Sequence, residues 1–184
     1  GKGMSRIFHR VKMEEKLLLP NKLLIFGGEA LQTEIIEDIK QANTKCKIVN
    51  HYGPTETTIG KLLHEVNFEN NYNNTIPIGR PFSNTQTFIL SKSMELCPVG
   101  VPGELFISGD GIARGYLNNP ELTKSKFIKN PFVKNISDNG KDSLMYSTGD
   151  LVKYLPDGSI EFLGRADDQV KIRGYRIELG EIEN

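Results

Sequence analysis

The alternation that begins at Leu23 constrains the fold most. Leu23 to Phe26 is a short apolar run closed by Gly27-Gly28, which reads as a buried parallel strand ending at a loop that faces a ligand. Leu31 to Ala42 then carries Leu31, Ile35, Ile36 and Ile39 at helical spacing, with charges between them. Ile48-Val49 is a second short strand. Strand, helix and strand in that order form a β-α-β unit, and in open α/β sheets ligands lie outside the carboxyl ends of the strands. Two segments land there: Gly27-Gly28-Glu29-Ala30 and the run from Asn50 to Glu56.

From Ile76 the pattern changes to short strands broken by Gly and Pro: Gln86 to Leu90, Glu104 to Ser108, Leu151 to Leu155 and Ser159 to Leu163. Pro156-Asp157-Gly158 between the last two is a strong hairpin turn. This half reads as an antiparallel, barrel-like subdomain. Pro120 marks a helix start within Asn118 to Pro131, and the chain shows no internal repeat and no low-complexity tract.

Composition excludes several function classes. Lys+Arg and Asp+Glu number 23 each, so no global field draws nucleic acid or an anionic membrane, and an anionic ligand must be held by local groups. Cys46 and Cys97 stand 51 positions apart with no paired spacing, which argues against a zinc site and a disulfide framework and fits a reducing, cytoplasmic setting. The apolar runs are too short to span a bilayer, and no signal-peptide core opens the chain, so a soluble protein is expected. The opening without Met and the close on LGEIEN, the beginning of a helix, suggest a sequence cut at both ends.

Val49 to Gly60 reads VNHYGPTETTIG. Asn50 can pair with an adenine edge by giving and taking one hydrogen bond, Tyr52 offers a flat face to a base, and Gly53-Pro54 turns the chain. Thr55 supplies a phosphate donor and Glu56 a hard-oxygen ligand for Mg²⁺. The plainer alternative is a solvated loop after a strand.

Further blocks follow in order: GGEA at Gly27 to Ala30, GELFISGDGIARGYL at Gly103 to Leu117, YSTGDL at Tyr146 to Leu151, and GRADDQVKIRGYRIELGEIE at Gly164 to Glu183. With them the chain, from about Leu23 to its last residue, resembles the adenylation domain of nonribosomal peptide synthetases. That domain belongs to the adenylate-forming superfamily with acyl-CoA synthetases and luciferases. IGRPFSNTQTFIL (Ile78 to Leu90) and NNPELTKSKFIKNPF (Asn118 to Phe132) resemble the peptide synthetase branch. The expected fold class is α/β in three parts. Residues 1–75 form the end of an open parallel α/β sheet subdomain, 76–164 a distorted antiparallel β-barrel subdomain, and 165–184 a hinge and the start of a small C-terminal α+β subdomain.

The resemblance implies a reaction in which an amino acid and ATP give an aminoacyl adenylate, whose acyl group then passes to the phosphopantetheine thiol of a peptidyl carrier protein, beside a condensation domain. It assigns Asn50, Tyr52 and the Gly28-Glu29-Ala30 backbone to adenine, Asp150 to the ribose hydroxyls and Arg165 to ribose and phosphate. Thr55 falls to phosphate and Glu56 to Mg²⁺, with no further metal ligand needed. Read locally, GGEA would instead be a helix start with Glu29 in its first turn, and Asp150 after Gly149 a turn residue. Many relatives carry Tyr where this chain has Phe162. Ile25, Gly27, His51, Ile59 and Gly60 line the implied substrate pocket, where two glycines leave room and no acidic residue awaits a basic substrate. Asp167 matches the hinge, and Lys171 to Glu178 the segment that swings toward the pantetheine arm, with Gly174 permitting close approach.

Relatives also carry a phosphate loop ending in Lys-Gly, an Asp for the substrate amino group and a catalytic lysine, none of which lies between Gly1 and Asn184. The segment alone is therefore expected to be nearly inactive. An acyl-CoA synthetase fragment and a non-catalytic, degenerate adenylation-fold module remain as alternatives.

Overall fold

A computed structural model describes residues 20–42, 45–133 and 143–166, and the backbone of 170–172 and 175–177. β1 (Leu23–Gly27) runs into α1 (Thr33–Gln41), and the chain returns as β2 (Lys47–Tyr52), parallel to β1. The expected β-α-β unit is present, and β2 extends three residues beyond Val49. A short 3-10 turn, Thr55–Thr57, leads to β3 (Leu62–Glu65), which lies antiparallel to β2 and pairs in turn with β4 (Arg80–Pro81). The first sheet is thus mixed, in the order β1-β2-β3-β4.

α1 begins later than the apolar spacing suggests. Gln32 occupies its N-cap without a side-chain cap bond, and Glu34, not Glu29, stands in its first turn. Phe26, Leu31, Ile36, Ile39 and Ile48 bury together with Val66 and Ile76 under this helix. The other face of β1 is open: Leu23 and Ile25 are exposed, so β1 is not buried on both faces as its apolar run suggested. It is an edge strand, and the helix covers one side only.

The second sheet is antiparallel. β5 (Thr85–Leu90) pairs with β6 (Gly103–Gly109), β6 with the long β8 (Leu144–Tyr154), and β8 with both β7 (Phe127–Lys129) and β9 (Ile160–Arg165). Before β7 runs α2 (Pro120–Lys126), with Pro120 in its first turn and the Asn119 side chain accepting from the Leu122 amide at 3.0 Å. The Pro156-Asp157-Gly158 turn joins β8 to β9, closed by Leu155 N donating to Ser159 O at 2.8 Å. β10 (Val170–Ile172) and β11 (Tyr175–Ile177) form a separate antiparallel pair.

Period-2 alternation on β6 sends Leu105 and Ile107 into one core with Leu62, Ile78, Val152 and Ile160, while Phe106 faces a second core with Leu90 and Met145. The first of these cores joins the two sheets, because Leu62 and Ile78 come from the first half of the chain. Ile78 N donates to Ile160 O at 2.8 Å, and Gly79 bridges to Ile160, so the join is also made by backbone. Among the described residues both cysteines are buried, and no helix is long and apolar enough to cross a membrane.

Candidate functional site

The carboxyl end of β2 meets the middle of β8. Asn50, His51 and Tyr52 are strand residues, not a solvated loop, and Asn50 is buried. The Asn50 Nδ2 donates to Ile76 O at 3.1 Å and to Pro77 O at 2.9 Å. Both amide hydrogens are engaged, so this side chain offers an outside partner only its carbonyl oxygen. The expectation that Asn50 both gives and takes a bond is corrected to taking alone. Tyr52 packs its ring against the core between the sheets and donates its hydroxyl to Asp150 Oδ2. Burial, and then the Asp150 charge, push the Tyr52 hydroxyl well above its ordinary pKa, so it stays a donor.

Asp150 owes its direction to an irregularity in the ladder. Glu104 faces Leu151 and Phe106 faces Ser147, so Leu105 of β6 stands opposite the three residues Thr148 to Asp150 of β8. Gly149 takes a positive φ of 71° in this bulge. Thr148 Oγ1 donates to Leu105 O at 2.7 Å and accepts from Asp150 N at 3.0 Å, while the Glu104 carboxylate accepts from Ser147 Oγ and from Gly149 N at 3.0 Å. Asp150 is consequently a strand residue, 2% exposed, and not the turn residue its Gly-Asp context suggests. Arg165 stands directly across on β9, with Nη1 2.9 Å from Asp150 Oδ1 and 2.9 Å from Thr148 O. Phe162, on the same strand, packs half-buried against the core between the sheets.

The turn after β2 holds the predicted phosphate and metal residues. Thr55 is exposed and Glu56 is buried. The Tyr116 hydroxyl donates to Glu56 Oε1 at 2.7 Å, and Ala113 N donates to Glu56 O at 2.8 Å. Burial, with the Tyr146 and Glu56 contacts, raises the Tyr116 pKa far above its ordinary value. Thr58 and Ile59 then sit at φ 64° and 62°, a left-handed conformation unusual for two β-branched residues in succession. Two side chains brace this turn: Thr58 Oγ1 donates to Gly111 O at 2.7 Å, and the buried Lys61 donates its ammonium to Asp110 O.

The predicted pocket residues gather on the open face of the first sheet. Gly27 and His51 are register partners, and a Cβ on Gly27 would stand 2.9 Å from His51 O. A Cβ on Gly60 would stand 2.3 Å from His51 Nε2 and 3.4 Å from the Phe82 ring, so the imidazole occupies the room a side chain there would need. Ile25 and Ile59 are exposed, at 57% and 65%. Gly28 has a φ of 86° and open space where a Cβ would be, leaving the Gly28-Glu29-Ala30 backbone approachable.

Sequence reasoning missed Glu104, Thr148, Tyr116, Lys61 and Phe82. Glu104, Thr148, Tyr116 and Phe82 lie inside the motif blocks already singled out, but their partners are tens of residues away. Asp167, and the side chains of Lys171 to Glu178, lie outside the described residues. Among the described residues no group of three or more His, Cys, Asp or Glu is placed to hold a metal ion.

The AMP-binding enzyme family matches residues 4–117. Bacitracin synthase 3 of Bacillus licheniformis is 52% identical over 164 residues, covering 89% of this chain and 2% of that synthase. Surfactin synthase subunit 1 of Bacillus subtilis is 48% identical over 167 residues, covering 88% of this chain and 4% of that subunit. Among solved structures, the Vibrio cholerae adenylation domain AlmE in complex with glycyl-adenosine-5'-phosphate superposes with a TM-score of 0.80 at 33% identity, over 97% of this chain and 33% of that one. Holo-PA1221, a nonribosomal peptide synthetase protein with adenylation and carrier domains bound to a vinylsulfonamide inhibitor, gives 0.78 at 31% identity, over 88% and 27%. The chain therefore spans a few per cent of the synthases and about a third of the solved chains.

Proposed function

We propose, since this chain belongs to the AMP-binding enzyme family, that it is part of a peptide synthetase adenylation domain that joins an amino acid to ATP and passes the aminoacyl group to a carrier thiol. The observation that carries this reading is the state of Asp150. A carboxylate has about four acceptor positions. Arg165 fills one on Oδ1 and Tyr52 one on Oδ2, which leaves two for a pair of vicinal hydroxyls. A buried carboxylate with two acceptor positions left suits the vicinal hydroxyls of a ribose.

The remaining residues fit the rest of the nucleotide. The Asn50 carbonyl oxygen takes a bond from the exocyclic amine of adenine, Tyr52 borders the base, and the open Gly28-Glu29-Ala30 backbone lies against its other face. Arg165 reaches toward phosphate as well as ribose. Thr55 donates to phosphate from its exposed turn, and Glu56, held by Tyr116, would hold Mg²⁺ through a hard carboxylate oxygen. Bound there, Mg²⁺ would supply charge neutralisation at the phosphates as the amino-acid carboxylate attacks the α-phosphate and pyrophosphate leaves. His51, Gly27, Gly60, Ile25 and Ile59 receive the amino acid. Residues 165–184, with Asp167 as pivot, begin the subdomain that turns toward the carrier's phosphopantetheine, with a condensation domain as neighbour and the cytoplasm as setting.

Amino-acid-dependent ATP-pyrophosphate exchange, followed by loading of a carrier thiol, tests the reading in the longest protein that contains this chain. Both half-reactions are expected there, and none in the isolated 184 residues. Exchange by the isolated segment above a no-enzyme control, or no exchange by the longer protein with any amino acid, overturns it.

A further inference from the structure

The ladders on both sides of β8 break beside Asp150. Toward β6, Glu104 pairs with Leu151 and Phe106 with Ser147, which leaves Thr148, Gly149 and Asp150 without a ladder partner on that strand. Toward β9, Asp150 pairs with Arg165 and Leu151 with Gly164, but Val152 pairs with Phe162, so Leu163 is left over. Irregularities of this kind re-aim a side chain, and they take backbone groups out of the ladder that must then be satisfied in another way.

Side chains hold this stretch of β8. Thr148 Oγ1 donates to Leu105 O at 2.7 Å and accepts from Asp150 N at 3.0 Å. Arg165 Nη1 donates to Thr148 O at 2.9 Å, and Ala166 N donates to Gly149 O at 2.9 Å. Gly149 N donates to Glu104 Oε1 at 3.0 Å, and the same oxygen accepts from Ser147 Oγ. Glu104 therefore supplies the acceptor that a carbonyl of β6 supplies in an unbroken ladder. It is half-buried, between the buried residues Gly103 and Leu105, so its reach is set by the sheet and not by a loop. Without it the amide of Gly149, held at a φ of 71° one residue before Asp150, loses its acceptor.

We propose that Glu104 is a positioning residue for nucleotide binding: it holds the bulge of β8 in the shape that aims the Asp150 carboxylate at the ribose hydroxyls. The inference rests on the adenylation reading and adds to it a residue that acts only through Asp150. Both bonds to Glu104 end on one oxygen, so position 104 requires an acceptor at that reach and not a negative charge. Tyr52 and Arg165 each occupy one Asp150 oxygen, so the acceptor positions that remain point where the backbone of the bulge sends them. A shift of the bulge misaligns both at once, and hydrogen bonds weaken steeply with angle. Asn50, Thr55 and the Gly28-Glu29-Ala30 backbone belong to the first sheet and its loops, so the contacts assigned to adenine and phosphate are untouched. The loss is confined to the sugar.

The test is amino-acid-dependent pyrophosphate exchange by the longest protein containing this chain, run with ATP and with 2',3'-dideoxy-ATP, which lacks both ribose hydroxyls. Wild type should prefer ATP by about tenfold or more in kcat/KM, the effect of hydrogen bonds to a charged acceptor. Glu104→Leu, which carries no acceptor, should shrink that preference by about threefold or more, mostly through KM for ATP, while the dideoxy nucleotide is used much as before. Glu104→Asp withdraws the oxygen by one methylene; it should shrink the preference less, and it decides alone if Glu104→Leu does not fold. Glu104→Gln keeps an acceptor oxygen at the same reach and should restore the wild-type preference. A preference unchanged in the Leu and Asp variants overturns the proposal, because Glu104 would then serve the fold only, and so does a Gln variant that loses as much as Leu. Equal use of both nucleotides by wild type overturns it as well and leaves the adenylation reading standing. Exchange with no amino acid at all would instead remove the adenylation reading, and this inference with it.

Discussion

Asp150 and His51 show two opposite ways of presenting a polar side chain. Asp150 is closed in: 2% exposed, both oxygens engaged, its backbone fixed by Thr148 and its bulge by Glu104. His51 is half open, its nitrogens unengaged among the described residues, and it is placed by shape, between glycines and a phenyl ring. The difference teaches how a site divides its labour. A hydrogen-bonded network tolerates one ligand geometry and loses heavily when a member is removed. A side chain held by packing can be exchanged with little damage to the fold. On the proposed reading the unvarying nucleotide meets the first and the variable acid meets the second.

Asp150→Ala should break this contrast most severely. It removes the carboxylate partner of the Arg165 guanidinium, whose side chain is only 13% exposed, and leaves the Tyr52 hydroxyl without its acceptor. Removing one partner of a buried pair costs about 3–5 kcal/mol, so the urea midpoint should collapse along with ATP binding. Unchanged stability would mean that the corner is no more closed than the His51 face.

Tyr52→Phe should cost less, about 1.5–3 kcal/mol for one bond to a charged acceptor, because Arg165 still holds Asp150. Equilibrium denaturation measures the loss, and ATP titration should show weaker binding in parallel. A stability change without a binding change would separate the corner from the nucleotide.

Lys61 sharpens the comparison through pH. Burial lowers its pKa, against a weaker opposing pull from Asp110. The folded protein thus holds this proton less tightly than the unfolded chain, whose value is 10.5, and deprotonation favours folding between the lowered value and 10.5. Lys61→Met, a change of similar volume that also gives up the bond to Asp110 O, lacks that contribution. Wild type should therefore gain on the variant as pH rises from neutral to about 10, read from paired denaturation curves. A constant gap would show that the ammonium is not buried in solution.

The smallest effect on stability is expected at Gly60→Ala, about 1 kcal/mol, because the obstacle is a movable ring and not backbone. Exchange kinetics should suffer more than the denaturation midpoint, since the imidazole must leave its position. Equal losses in both would place His51 with the rigid parts of the protein.

Much of this was legible in the residues. The apolar run at Leu24 and Phe26, the helical spacing of Ile36 and Ile39, and the Pro-Asp-Gly turn are local patterns, and each produced the element it implied. Three local readings failed for one reason. Asn50 was expected to give and take, but carbonyls 26 and 27 residues away hold both its hydrogens. Asp150 follows a glycine, but a bulge opposite Leu105 makes it part of a strand. Glu29 stands where the local pattern starts a helix, but the helix begins at Thr33, where the chain passes Asn74.

The sequence by itself determined the elements, the order of the motif blocks and the kinds of atom available for a nucleotide and an acid, because periodicity and residue chemistry act over a few neighbouring positions. The tertiary structure alone decided that Tyr52 closes on Asp150 across 98 positions, that Tyr116 holds Glu56 across 60, and that the His51 nitrogens make no hydrogen bond among the described residues. Such pairings form when two sheets close over a shared core, and the spacing of residues along one strand carries no trace of them.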